Sequence, residues 1–130
     1  MTAKRIVIIG PPRSGKTTLA LDMGTKTEVE VLHTDDKIGL GWSECSEWIA
    51  EHWLTPPGPW IVEGVAAVRA LRKWLAAGHE EKPCDLVIHV REPKVALSKG
   101  QASMAKGCAK VWAEVEGGLR ARGVDVETID

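Results

Sequence analysis

The chain has 130 residues, 27% of them charged, and a formal net charge of −1 at pH 7, which fits one compact domain over residues 1–130 with little room for a second module. The near-neutral balance excludes both an acidic solvating tail and a uniformly basic nucleic-acid coat, so any nucleic-acid contact has to come from a local patch. No apolar run is long enough to span a bilayer, and MTAKRIVIIG passes from basic residues straight into a strand-like stretch without a cleavage site, so a cytoplasmic protein with no membrane partner is expected.

Short β-rich runs alternate with longer segments of helical period, the pattern of an α/β domain with a mostly parallel sheet and right-handed crossovers. The first strand is Arg5–Ile9, apolar after its arginine as a strand covered on both faces must be. A helix over Lys16–Met23 follows, with Gly24 as its stop. Residues 29–33 form the second strand. Ser43 is placed as the N-cap of a helix carrying Trp42, Cys45, Ile49 and Trp53, which Pro56-Pro57 ends. Residues 60–62 form the third strand, and Val68, Leu71 and Leu75 make an apolar stripe opposite Arg69, Arg72 and Lys73, with Gly78 as the stop. The fourth strand is residues 86–90. Met104, Cys108, Val111, Val115 and Leu119 recur at helical spacing, weakened or ended by Gly117-Gly118, and residues 124–129 give a last, acidic strand. The three cysteines, Cys45, Cys84 and Cys108, lack metal-site or disulfide spacing and read as small apolar residues. With six Trp and neither Phe nor Tyr, every large aromatic contact falls to Trp.

Between the first strand and the first helix lies Gly10-Pro-Pro-Arg-Ser-Gly-Lys-Thr17, a match to GxxxxGK[ST] in the strand–turn–helix context that gives the pattern physical meaning. Gly10 and Gly15 let the chain wrap closely around phosphate. The N–H groups of residues 13–17 point inward, and the helix N-terminus adds partial positive charge. Arg13, Ser14, Gly15, Lys16, Thr17 and Thr18 are thus the expected nucleotide-binding residues, with Lys16 on the terminal phosphates and the Thr17 hydroxyl on Mg²⁺. Arg13 either touches phosphate or is solvated.

With this loop at the N-terminus and Thr34-Asp35-Asp36 after the second strand, the chain resembles the P-loop kinases, and among them the phage-type polynucleotide 5′-kinases. The resemblance implies a three-layer α/β/α P-loop fold with a five-stranded sheet and a short helical lid, ATP and Mg²⁺ as cofactors, and Asp35 as general base toward the acceptor hydroxyl. Asp36 is the second choice. An attacking alcohol must lose a proton to a group within hydrogen-bond reach, and the carboxyl end of a neighbouring strand delivers a carboxylate to the ligand crevice. Either aspartate otherwise caps a turn or orders water. Glu63-Gly64 at the end of the third strand is similar to the acid–glycine pair of many small-molecule and nucleotide kinases, where Glu63 holds a metal-bound water or the acceptor. Arg69 and Arg72, one turn on, are candidates for an acceptor phosphate or else a solvated face.

The segment from Arg91 through Lys94–Trp112 occupies the place of the kinase lid. Lys99, Lys106 and Lys110 share a face opposite the Met104, Cys108 and Val111 stripe, either as lid cations or as a solvated face. Arg91 is the arginine candidate for charge stabilisation in the transition state. The run Lys99–Trp112 is also similar to a segment of phage kinase-like ATPases, some of whose relatives act on hydroxymethyl-pyrimidines in DNA. Trp42 and Trp48 either stack on a base or are buried. The leading expectation is phosphoryl transfer from ATP to a hydroxyl of DNA, RNA or a nucleoside-type acceptor. A monophosphate or small-metabolite kinase and a nucleotide-dependent binding switch are the alternatives.

Overall fold

In the computed structural model, which describes residues 4–129 and Ile38 by its backbone alone, the apolar run Arg5–Ile9 is the central strand, β1. The other strands are Val31–His33 (β2), Trp60–Glu63 (β3), Leu86–Val90 (β4) and Asp125–Ile129 (β5). They form one sheet in the order β2-β3-β1-β4-β5, with every neighbouring pair parallel. Met1–Ala3 and Asp130, part of the expected domain, lie outside the described residues. Parallel strands need crossovers, and these are α1 (Lys16–Thr27), α2 (Trp42–His52), α3 (Ala67–Ala76) and α4 (Lys99–Ala121), with a 3-10 segment at Thr34–Leu40.

The period of two along β1 sorts the core into two layers. Ile6 and Ile8 join Ile61, Ile88 and Ala20, with Leu19 and Met23 of α1 packed on them. Val7 and Ile9 join Val62 and Val87 beneath α2, α3 and α4, which contribute Ile49, Leu71, Trp74, Val111, Trp112 and Leu119. One helix on one face and three on the other give the expected three-layer α/β/α arrangement. Trp60 and Trp74 are buried large aromatics, and each indole N–H donates to a carbonyl, of Pro56 (2.9 Å) and Glu81 (3.4 Å) respectively. All three cysteines are buried free thiols.

Several boundaries differ from the sequence reading, each for a packing reason. Helix α1 runs through Gly24 to Thr27 and is capped by Glu28, whose φ is 56°. Gly24 is instead the contact point of α1 with β2, since a Cβ there would come within 2.5 Å of Val31 Cγ2. Helix α2 starts at Trp42 behind Gly41 without a side-chain cap, while the Ser43 hydroxyl accepts from Lys73 Nζ at 3.1 Å. Helix α4 likewise passes through Gly117-Gly118, because Gly118 lies against Leu75, 3.3 Å from where its Cβ would be. Tertiary contact overrides the intrinsic cost of a helical glycine at both places. Gly78 does follow α3, with a φ of 87°.

The sheet is fastened at its amino edge by Asp85. Its carboxylate accepts from the Arg5 backbone N–H at 2.7 Å and pairs with Arg5 Nη2 at 3.3 Å and Lys82 Nζ at 3.2 Å. Burial alone would push the Asp85 carboxyl up; the hydrogen bonds from Arg5, helped by Lys82, outweigh it and hold the group below the usual carboxylate range. A carboxyl with a lowered folded-state pKa contributes stability that is complete above the unfolded-state value and is lost as pH falls through the folded-state value. Asp85→Asn should therefore lower unfolding free energy at neutral pH by about 1–3 kcal/mol. In strong acid the deficit should shrink, as read by urea unfolding across pH.

Candidate active site

The turn from β1 into α1 is built by close approach. Gly10 lies against β4, where a Cβ would sit 2.4 Å from the Val90 carbonyl oxygen, and Gly15 caps α1 with a φ of 88°. No side chain caps that helix, so its first N–H groups face the concavity of the loop, the arrangement that favours an anion. Lys16 is folded inward and only 6% exposed, donating to the Pro11 carbonyl at 2.6 Å and to Ser14 Oγ at 3.3 Å. Burial lowers the Lys16 pKa, against the opposing influence of Glu63, Cys108 and Asp35.

A cleft of about 690 Å³ opens over this turn. Its walls bring Arg13, Gly15, Lys16, Thr17 and Thr18 together with Asp35, Glu63 and Gly64, residues far apart in sequence, and add Pro12, Val65, Gln101 and Met104. Asp35 is the second residue of the 3-10 segment behind β2 and is exposed at the cleft. Glu63 ends β3 and is 2% exposed. Its Oε1 accepts from Thr17 Oγ1 at 3.2 Å and from His33 Nδ1 at 2.6 Å, so three adjacent elements meet on one carboxylate. Gly64 cannot carry a side chain: a Cβ would fall 1.8 Å from Thr34 Oγ1. That buried hydroxyl has no hydrogen-bond partner among the described residues.

The remaining candidates from the sequence lie elsewhere. Ser14 is behind the loop as a partner of Lys16. Asp36 borders a separate hollow with Lys37, Gly39, Leu40 and Trp48. Arg72 is paired across α3 and α4 with Glu114 at 3.2 Å. Arg69 sits against Trp42 and Cys108. Arg91 and Lys106 line a second hollow, of about 290 Å³, with Gly10, Pro11, His89 and Trp112. Lys99 and Lys110 are exposed outside both cavities.

Three contributors escaped the sequence reading. The Lys94 N–H donates to the Arg13 carbonyl at 2.7 Å, and its side chain runs beside Gly15, so the 91–98 segment is strapped to the loop. Gln101 is fixed in the cleft wall by a capping box, its N–H on Ser98 Oγ at 3.2 Å and its carbonyl oxygen accepting from the Ser98 N–H at 3.0 Å. Ser-Lys-Gly-Gln is a readable signature of that box. His33 carries no such signal, since only the β2–β3 register, which sets it opposite Glu63, brings the two together.

The donor set suits Mg²⁺. Thr17 Oγ1 and Glu63 Oε1 are neighbouring hard oxygens beside the phosphate turn, and Mg²⁺ takes one or two such ligands with substrate phosphates and water. Among the described residues no cluster of three or more His, Cys, Asp or Glu forms an all-protein metal cage.

A lysine whose pKa is lowered by burial in the folded state costs stability at pH values below its unfolded-state pKa, neutral pH included. Lys16→Met should abolish phosphate-ligand binding while leaving the melting temperature of the ligand-free protein unchanged or raised. A lowered melting temperature in differential scanning calorimetry would contradict the balance drawn here.

No protein-family model matches the chain, and no curated protein matches it in sequence. Among solved structures it is similar to the shikimate kinase from Acinetobacter baumannii in complex with shikimate, with a TM-score of 0.59 and 12% identity over 99% of this chain and 84% of that one. The likeness concerns the fold: a five-stranded parallel α/β domain with the architecture of that structure.

Proposed function

We propose that the chain is an ATP-dependent kinase that phosphorylates a hydroxyl group of a small metabolite. The observation that carries this reading is the single cleft in which the Gly15-Lys16-Thr17 turn, buried Glu63 and exposed Asp35 face one another. A nucleotide switch needs the turn, but has no evident use for a solvent-accessible carboxylate opposite it.

In this reading the loop N–H groups and Lys16 hold the β- and γ-phosphates, and Mg²⁺, when bound at Thr17 and Glu63, neutralises charge on the phosphate oxygens. Asp35 accepts the proton of the acceptor hydroxyl as its oxygen bonds to the γ-phosphorus; the bond from that phosphorus to the β–γ bridging oxygen breaks, and ADP leaves. Lys16 follows the charge that moves onto the bridging oxygen. His33 holds the Glu63 carboxylate in place from behind. Gln101 and Met104 of α4 wall the cleft, while Arg91 and Lys106 line the other hollow with Gly10 and Pro11.

The cleft volume and the kinase fold support a small acceptor. A nucleic-acid hydroxyl is the second reading, favoured by the exposed lysine face of α4 and by Trp42, which is 40% exposed. Asp35→Asn should lower acceptor-dependent kcat by about 10²–10⁴-fold, the usual worth of a positioned base, with ATP binding retained. Label transfer from γ-labelled ATP across polyols, hydroxy acids, nucleosides and oligonucleotides reads this out. Unchanged transfer by the Asn variant removes Asp35 as base, and transfer to oligonucleotides alone selects the second reading.

A further inference from the structure

Outside the phosphate turn and the start of α1, the cleft is walled by Asp35, Glu63, Gly64, Val65, Gln101 and Met104. Two of these are acidic, two are apolar, one is an uncharged amide, and none is basic. The cations of the cleft, Arg13 and Lys16, both belong to the turn, and the Lys94 side chain runs over the same turn at Gly15. Arg69 and Arg72, which the sequence offers for an acceptor phosphate, are placed elsewhere, the one against Trp42 and Cys108 and the other in its pair with Glu114. Arg91 and Lys106 line the other hollow. Lys37 stands over the Trp48 ring, and Lys73 donates to Ser43.

Recognition of the acceptor therefore falls to Gln101, Val65 and Met104. The capping box decides how Gln101 acts. Its Oε1 accepts from the Ser98 N–H at 3.0 Å, and since that N–H needs an oxygen, the orientation of the carboxamide is set. The other end of the amide, its Nε2 amino group, has no partner among the described residues. This group donates and does not accept, so it suits a hydroxyl, ether or carbonyl oxygen and rejects an ammonium group. Val65 and Met104 supply apolar surface. Cys108, one turn beyond Met104 on α4, donates to the Val65 carbonyl at 3.5 Å and ties α4 to the turn after β3, so the two apolar residues form one wall. An acidic acceptor would find a single neutral donor here and would bring its charge beside Asp35, where like charges repel.

We infer that the acceptor is an uncharged hydroxyl compound with an apolar ring or chain. Its skeleton lies against Val65 and Met104, one of its oxygens accepts from the Gln101 amide, and its reacting hydroxyl faces Asp35. The inference rests on the kinase reading and narrows its substrate class.

The test uses the full chain with γ-labelled ATP and Mg²⁺ against pairs that share a skeleton and differ in charge. These are gluconamide and gluconate, para-hydroxymethylbenzamide and para-hydroxymethylbenzoate, and thymidine and thymidine monophosphate. Calorimetric titration of each compound, in the presence of a non-hydrolysable ATP analogue, measures binding separately from transfer. The expected result is a kcat/KM for the uncharged member about 10–100-fold above that of its anionic partner, the cost of a like charge beside Asp35, with the ring compounds ahead of gluconamide. Gln101→Glu keeps the capping box, in which Glu serves as Gln does, but replaces the donor with a carboxylate oxygen. It should raise the KM of the uncharged acceptors by about 10-fold with ATP affinity and the unfolding profile unchanged. Met104→Lys, which puts a cation on the acceptor wall, should narrow or reverse the preference. Preference for the anionic members, equal use of both, or a Gln101→Glu variant that loses ATP affinity at unchanged acceptor KM would each overturn the inference and leave the kinase reading standing. Binding of uncharged compounds without transfer to any compound overturns the kinase reading instead, and absence of both binding and transfer overturns the two together.

Discussion

Two buried charges of opposite sign, Lys16 and Glu63, stand at the carboxyl edge of the sheet, 6% and 2% exposed, and the site is organised around them. Burial of each carries a desolvation cost. Burial lowers the Lys16 pKa while Glu63 works to restore it, and Glu63 is itself held by Thr17 and His33. Buried charges of this kind cost stability rather than supply it. Their presence at the edge where parallel α/β sheets bind ligands points to function rather than fold.

The sheet makes the arrangement possible. Parallel strands align their carboxyl ends, so β1, β2 and β3 deliver the phosphate turn, Asp35 and Glu63 to one edge although they are distant in sequence. Close backbone approach then sets the spacing. Gly10 admits β4, Gly24 admits β2 and Gly64 admits Thr34, each at a distance no side chain tolerates. Apolar residues cover both faces of β1, and α4 belongs to both core and site: Val111, Trp112, Val115 and Leu119 anchor it while Gln101 and Met104 reach the cleft.

Much of this was legible beforehand. The apolar run before a glycine-rich turn located β1, the loop and α1, and alternation of strand-like and helix-like segments gave the α/β class, because both signals are local. Gly24, Gly117 and Gly118 misled for the same reason: a propensity says that a glycine weakens a helix, but not that a neighbour needs the space. Of the site, Lys16, Thr17, Asp35 and Glu63 were readable from position relative to strands. His33, Lys94 and the environment of Arg69 were not, because strand register and helix packing bring them into place. The paired reading of Arg69 and Arg72 shows the limit: three residues apart on one helix, one ends in an ion pair with Glu114 and the other against an indole and a thiol.

The central claim is that the turn from Gly10 to Thr17 binds a nucleoside triphosphate with Mg²⁺, on which every later step depends. Isothermal titration of the purified chain with ATP, with and without Mg²⁺, tests it most directly. The account predicts saturable one-to-one binding that strengthens with Mg²⁺ and disappears in Lys16→Met. Absence of binding to the wild-type chain, or binding that Lys16→Met leaves intact, would contradict it.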